Sequence, residues 1–255
     1  VFEIMKIIII AAGSSTRLGK ETKDVPKGLL KINDKSIIEI QLELFKKNQL
    51  SNITIITGPN KEKFNFQNVN YVQDNEFQNH DVLGSLMVCK SIMDDEILTT
   101  YSDIIFNEKI LGSMLDFKGD IGIAVDLNWE KNYVNRTQHP KSEADNVLME
   151  NTKILKIQKN IKDSKPTQNI GEFIGLMKLS KKGAKIFVEK FNRLIESHKG
   201  KFHDSPSLKN AYLTDMLQEL IDSGFLVEPI IINGKWCEID TPQDLQLARK
   251  NIKDF

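Results

Sequence analysis

Between residues 4 and 10 the chain reads Ile-Met-Lys-Ile-Ile-Ile-Ile, with no polar residue recurring at alternate positions. A strand that buries one face and wets the other alternates apolar and polar residues. This one has no face to wet, which is the condition of a central parallel strand covered by helices on both sides. It runs directly into Ala11-Ala12-Gly13-Ser14-Ser15-Thr16-Arg17-Leu18-Gly19, and Pro26-Lys27 follows a few residues later. Small, flexible and cationic residues in that place suit a loop whose backbone N–H groups wrap a polyphosphate while a guanidinium and an ammonium neutralise its charge. Gly13 relieves the steric limit on close backbone approach, and Ser14, Ser15 and Thr16 add hydroxyl donors. Arg17 has the fork to chelate phosphate oxygens, and Lys27 is placed by the fixed φ of Pro26. The spacing is neither a P-loop, which needs Lys-Ser or Lys-Thr after a glycine, nor the Gly-x-Gly-x-x-Gly of dinucleotide folds.

The 255 residues allow one large α/β domain or two small ones. The 35 basic and 35 acidic residues cancel, which argues against a nucleic-acid partner. Locally they do not cancel: residues 17–35 carry six cations against three anions, a field suited to a small anionic ligand. Cys89 and Cys237 lie far apart without metal-ligand spacing and are expected to be reduced, packed thiols of a cytoplasmic protein. With no signal peptide and no apolar run of membrane-spanning length, no membrane partner is expected. The chain starts at Val1, ahead of Met5-Lys6, so residues 1–4 are either an artificial extension or a linker from a fused upstream domain.

Along the chain, strand and helix patterns alternate. Helices are expected at 36–50, 82–93 (capped by Asn79-His80-Asp81) and 108–117, and strands at 52–58, 69–72, 97–100 and 121–127. The second half changes character: a hairpin at 146–157, a strand at 173–179, helices at 182–197 and 208–223, strands at 226–232 and 235–239, and a helix opened by Thr241-Pro242. Residues 163–169 suit a mobile loop or lid. This predicts a mostly parallel sheet flanked by helices, with ligands beyond the carboxyl ends of its strands. The glycine loop and Asp103 both fall at such ends.

Asp103, just past a strand, and Asp240, between a strand and a helix cap, are candidate Mg²⁺ ligands; local sequence alone favours a turn for the first and fits the second equally to the cap. Glu238 is expected to point away from Asp240. His80, His139, His198 and His203 are scattered, so no nucleophile–histidine pair and no histidine metal site is expected. None is needed for a phosphate acceptor, whose second pKa near ~6 leaves it largely dianionic at neutral pH. Catalysis then reduces to alignment and charge neutralisation, for which Arg17, Lys27 and Mg²⁺ suffice. In residues 126–136, Asp126, Trp129, Tyr133 and Arg136 mix an acid, aromatics and a guanidinium. Trp129 or Tyr133 would face a cationic amine and Arg136 its phosphorus oxyanion; a surface loop with one packed Trp explains the segment equally well.

The loop Ala-Ala-Gly-x-Ser-Thr-Arg-Leu followed by Pro26-Lys27 resembles the signature of the nucleotidyltransferase family, with Ser15 in place of a second glycine. The resemblance implies a Rossmann-like α/β fold of the nucleotide-diphospho-sugar transferase type in a single domain over 1–255. A nucleotide-binding half would span about 4–125, a β-hairpin and helical acceptor-binding half about 126–240, and a C-terminal helix 241–253. It implies a metal held jointly by Asp103 and Asp240, and nucleotide contacts from residues 11–16 and from Asn79, Gly84 and Ser85. It also implies an acceptor pocket that includes Lys159, Glu172 and Asp215. The Tyr-Ser-Asp-Ile, Asp-Leu-Asn-Trp, Glu-Phe-Ile-Gly-Leu and Glu-Ile-Asp-Thr-Pro segments are most similar to small cytidylyltransferases that activate phosphocholine or phosphonates such as 2-aminoethylphosphonate. The Asn-Ala-Gly segment typical of sugar-1-phosphate enzymes is absent, its place taken by Glu-Phe-Ile-Gly. The implied reaction is Mg²⁺-dependent transfer of CMP from CTP to a small phosphonate or phosphomonoester. A sugar-1-phosphate enzyme and a non-catalytic nucleotide sensor are the rivals. A homodimer, or fusion to another pathway enzyme, is compatible with this branch.

Overall fold

A computed structural model describes residues 5–13, 18–19, 25–233 and 235–252. In chain order the elements are β1 (Lys6–Ala11), β2 (Lys31–Ile32), β3 (Lys35–Ser36), α1 (Ile37–Lys47), β4 (Ile53–Thr57), β5 (Asn70–Gln73), α2 (Val82–Met87), β6 (Ile97–Tyr101), β7 (Ile104–Phe106), α3 (Glu108–Asp116) and β8 (Ile121–Asp126). There follow β9 (Asp145–Glu150), β10 (Lys153–Lys159), β11 (Gln168–Leu179), α4 (Lys181–Ser197), α5 (Leu213–Asp222), β12 (Glu228–Ile232), β13 (Trp236–Glu238) and α6 (Pro242–Asn251).

The isoleucine run is buried on both faces, as its composition requires. Ile8 and Ile10 pack into one core with α2, α4 and α5, and Ile7 and Ile9 into a second with α1 and α3. Around β1 the sheet is parallel: β4 and β6 flank it and β5 pairs with β4. The other half of the sheet is organised by β11, which is longer than the expected strand and antiparallel to all its neighbours. Its first residues pair with β9 and its last with β6, while β8 borders it on the other side. One strand therefore ties the hairpin β9–β10 to the parallel core.

The register of β11 shifts between Phe173 and Met177, and Gly175 sits in that step with φ +83°. A Cβ there would lie 2.4 Å from Tyr101 Cδ2. Both the left-handed backbone and the close ring demand glycine, which accounts for the Glu-Phe-Ile-Gly-Leu run. Gly175→Ala is expected to lower stability by about 1–3 kcal/mol from backbone strain alone, with the ring clash in addition. The urea midpoint measures it, and an unchanged midpoint would refute the reading.

Local start signals hold well. Ser36 and Glu39 form a capping box on α1, and Thr241, Pro242 and Asp244 open α6 in the same way. Two expected helices are shorter than their patterns. The first stops at Met87 and continues as a 3-10 turn over Lys90–Ile92; the second is a 3-10 turn over Leu208–Asn210, then α5. Residues 168 and 169 of the expected lid belong to β11. A third apolar cluster joins Leu30, Ile32 and Ile37 to Ile105, Ile239 and Leu245. It locks the segment after Lys27 against the approach to Asp240. Both cysteines are free, and burial pushes each thiol up to about 12, so neither is an activated nucleophile. Among the described residues, no helix is long and apolar enough to cross a membrane.

Candidate active site

At the carboxyl ends of β1 and β6 the chain opens a cleft of about 350 Å³. Ala11 at the end of β1, Ala12 and Gly13 directly after it, and Ser102 and Asp103 directly after β6 line it. Ser102 N donates to Ile10 O at 3.1 Å, so the two strand ends are held in step. Ser14, Ser15, Thr16 and Arg17 lie outside the described residues.

Strand pairing brings Asp103 and Asp240 together. β13 runs antiparallel to β7 with Glu238 opposite Ile104, and Ile239 N continues the ladder by donating to Asp103 O at 2.9 Å. Lys27 enters between the two carboxylates. Its Nζ donates to Asp103 Oδ2 at 2.6 Å and also bonds Asp240 Oδ1. Burial opposes the ammonium charge, but Asp103, Asp240 and Glu238 outweigh it and hold the lysine above its ordinary range. Glu238 shifts upward, first through burial and then through repulsion by Asp240 and Asp103.

The expectation that Glu238 faces away from Asp240 is corrected. Both line the cleft, because residues two apart in an extended segment share a face. His139 joins them from a distant loop. Its Nδ1 lies 3.3 Å from Asp240 Oδ2, and His139, Glu238 and Asp240 offer three donor atoms within 4.8 Å of one another. Sequence reading missed this meeting because the partners are about a hundred positions apart and carry no spacing signal.

The donor set at Asp103 and Asp240 fits Mg²⁺. Both offer hard carboxylate oxygens, and Asp103 Oδ1 is buried without a hydrogen-bond partner, a position a cation would satisfy.

Beside the loop, Asp74 is buried and accepts from Ser85 Oγ at 2.7 Å, with His80 Nε2 at 2.6 Å from the same oxygen. A Cβ on Gly84 would lie 2.4 Å from His80 Cγ, so glycine admits the imidazole. Ser85 and His80 line the cleft, whereas Gly84 does not. Asn79 is not brought in; its side chain donates to Glu76 Oε2 at 2.7 Å.

The expected acceptor residues are dispersed. Lys159 reaches the cleft, 3.2 Å from Glu143 Oε2 and 4.9 Å over the Tyr212 ring. Burial opposes its charge, but Asp145 and Glu143 keep its pKa raised. Asp126 and Arg136 line a different cavity of about 500 Å³, where Asp126 accepts from Trp236 Nε1 at 2.8 Å. Trp129 is buried and donates to Ile170 O at 3.0 Å. Tyr133 donates to buried Glu172 at 2.6 Å. Asp215 caps α5, accepting from Tyr212 N and Ser205 Oγ. The cleft instead recruits Asp81, Glu143, Asp145, Tyr101 and Tyr212. Among the described residues its lining carries six carboxyl groups (Asp81, Asp103, Glu143, Asp145, Glu238, Asp240) and two lysines.

The family model for a MobA-like NTP transferase domain matches residues 7–134, half of the chain. CTP:phosphoglutamine cytidylyltransferase of Campylobacter jejuni is 26% identical over 95% of this chain and 98% of its own length. Bifunctional protein GlmU of Methanococcus maripaludis is 25% identical over 97% of this chain, which spans 54% of that longer relative. The solved structure of CTP:phosphocholine cytidylyltransferase from Streptococcus pneumoniae superposes with a TM-score of 0.73 at 20% identity, covering 97% of this chain and 99% of that one. That likeness establishes the fold, a mixed sheet flanked by helices.

Proposed function

The chain belongs to the MobA-like NTP transferase family, and from that premise we propose a Mg²⁺-dependent cytidylyltransferase whose acceptor is a small phosphonate or phosphomonoester bearing a cationic amine. The observation that carries this reading is the acid-rich cleft wall. Glu143 and Asp145 stand beside the Tyr212 ring and Lys159, next to the strand ends that carry the nucleotide loop. Carboxylates and an aromatic face suit an ammonium group, and Lys159 suits the oxyanion at the other end of the same small molecule. The Campylobacter relative, named for CTP and phosphoglutamine, supports the cytidylyl donor.

In this reading an acceptor oxygen attacks the α-phosphorus of CTP and pyrophosphate leaves in line. The acceptor is already anionic, so no general base is required. Lys27 places positive charge where negative charge develops. Asp103 and Asp240 would hold Mg²⁺, which would supply neutralisation of the triphosphate. Arg17, nominated from the sequence alone, would add a guanidinium to that neutralisation.

Pyrophosphate release with Mg²⁺, each of four NTPs, and a panel of 2-aminoethylphosphonate, phosphocholine, amine-free phosphonates and sugar 1-phosphates tests the proposal. Turnover is expected with CTP and an amine-bearing acceptor. Turnover only with a sugar phosphate would discard the acceptor assignment. Silence with every pair would favour a nucleotide-sensing module.

Asp145 gives a second expected result. Burial, against the opposing charge of Lys159, pushes its carboxyl up to about 7, and its Oδ1 has no hydrogen-bond partner. The unfolded chain releases this proton near ~4. Between there and about 7 the folded state binds more protons, so stability falls as pH rises through that window. Asp145→Asn is expected to remove that slope. For an amine acceptor, KM should fall as pH rises through about 7 in the parent and not in Asp145→Asn. Parallel KM profiles for the two proteins would remove Asp145 from the acceptor site.

A further inference from the structure

The two oxygens of Asp240 face different partners: Oδ1 meets Lys27 and Oδ2 meets His139 at 3.3 Å. His139 is 3% exposed, and its Nδ1 is buried, makes no hydrogen bond, and lies 3.8 Å from Glu238 Oε2. The Tyr133 ring packs edge-on against the imidazole, with centroids 5.8 Å apart. A buried polar atom without a partner is costly, so such a group in a native structure requires an explanation. Bonds of about 2.1 Å at tetrahedral angles separate ligand atoms by roughly 3.4 Å. The separations of 3.3 and 3.8 Å are close to that spacing. One imidazole nitrogen with two carboxylate oxygens suits transition cations, whereas Mg²⁺ takes oxygen ligands and sheds water reluctantly.

We propose that His139, Glu238 and Asp240 form a second divalent-cation site, for a transition metal of the Zn²⁺ or Co²⁺ class, which shares Asp240 with the oxygen-only Asp103–Asp240 site but does not depend on Asp103. A cation there joins His139 to the face of Asp240 turned away from Lys27, beside Arg136, whose Nη2 donates to Glu238 Oε2 at 3.2 Å, and fixes Asp240 with its other oxygen toward the lysine. The site is defined without nucleotide or acceptor, so it stands or falls separately from cytidylyl transfer.

Co²⁺ titrated into the nucleotide-free full chain, followed by visible absorption and calorimetry, tests this. The parent is expected to bind with visible ligand-field bands, and Asp103→Asn to bind with unchanged affinity. His139→Ala should weaken binding by at least roughly 100-fold, the upper end of the effect of losing even an outer-shell partner. Because His139→Ala leaves a void, Glu238→Gln is the companion variant. Co²⁺ should raise the Tm of the parent but not of Glu238→Gln. Absence of bands in the parent, or parent-like affinity in both His139→Ala and Glu238→Gln, would overturn the site and leave His139 as a simple ion-pair partner of Asp240. Equal loss in Asp103→Asn would overturn its separation from the first site.

Discussion

Lys27→Ala is expected to lose turnover by about 10²–10³-fold in kcat, comparable to removing one preorganised donor from a charge-stabilising site, and to lose stability as well. Sequence alone would make Lys27 a loop residue whose removal affects only rate. The structure makes it the counter-ion of three acids. Its side chain is 14% exposed and those of Asp103 and Asp240 are 19% and 4% exposed, so water screens the cluster poorly. Deleting the cation leaves like charges facing one another, and breaking a buried pair costs about 3–5 kcal/mol. Lys27 is among the charges that lower the Glu238 pKa, so its loss raises that pKa further. The deficit is therefore full above the new pKa and shrinks as pH falls through it. Lys27→Arg should recover stability more than rate, because a planar fork restores charge without the point geometry of the ammonium. Pyrophosphate release and urea midpoints, measured with and without Mg²⁺, check both halves. Normal turnover in Lys27→Ala would remove the lysine from the site.

What the sequence disclosed, and what it hid, divides by range. The buried β1, the caps of α1 and α6 and the strand ends at Gly13 and Asp103 rest on neighbours a few residues apart, and single-chain patterns report those. The motif resemblance points to Asp103 and Asp240, but their meeting depends on β13 pairing with β7, a contact between residues over a hundred apart. The antiparallel run of β11 through the sheet had no local signal beyond Gly175, whose positive φ marks the register step. The acceptor nominations fared differently for a chemical reason. Residues 126–136 carry an acid, aromatics and a guanidinium, a composition that suits a ligand pocket and suits equally a satisfied internal network. The structure routes Trp129, Tyr133 and Arg136 into such a network and leaves Lys159 at the cleft. Asp145, Glu143 and Tyr212 reach the cleft because β9 of the hairpin pairs with β11 and α5 packs on β10.

Arg136→Ala separates these two uses of a guanidinium. Arg136 Nε and Nη2 chelate the Asp244 carboxylate at 2.6 and 3.0 Å, and Nη2 also reaches Glu238 at 3.2 Å. The guanidinium carbon lies 5.0 Å from the Tyr133 ring centre. Asp244 in turn accepts from the backbone N–H groups of Asp240 and Thr241 at 3.1 and 2.8 Å. The arginine therefore anchors the start of α6 and, through it, the backbone of Asp240. Burial works against the Asp244 charge, yet its bonds to Arg136 hold the carboxyl below its ordinary range. Such a contribution is present above the unfolded pKa and is lost as pH falls through the folded one. Removing the guanidinium strands a carboxylate whose side chain is 2% exposed, at a cost of about 3–5 kcal/mol, a large share of the roughly 5–15 kcal/mol that holds a domain folded. Arg136→Ala should therefore lower the urea midpoint steeply and reduce kcat through Asp240 while leaving KM for the acceptor unchanged. Arg136→Lys should recover part of the stability, since an ammonium cannot chelate both oxygens. A raised acceptor KM with unaltered stability would instead place Arg136 on the acceptor oxyanion, which would require it to leave Asp244 when the acceptor binds.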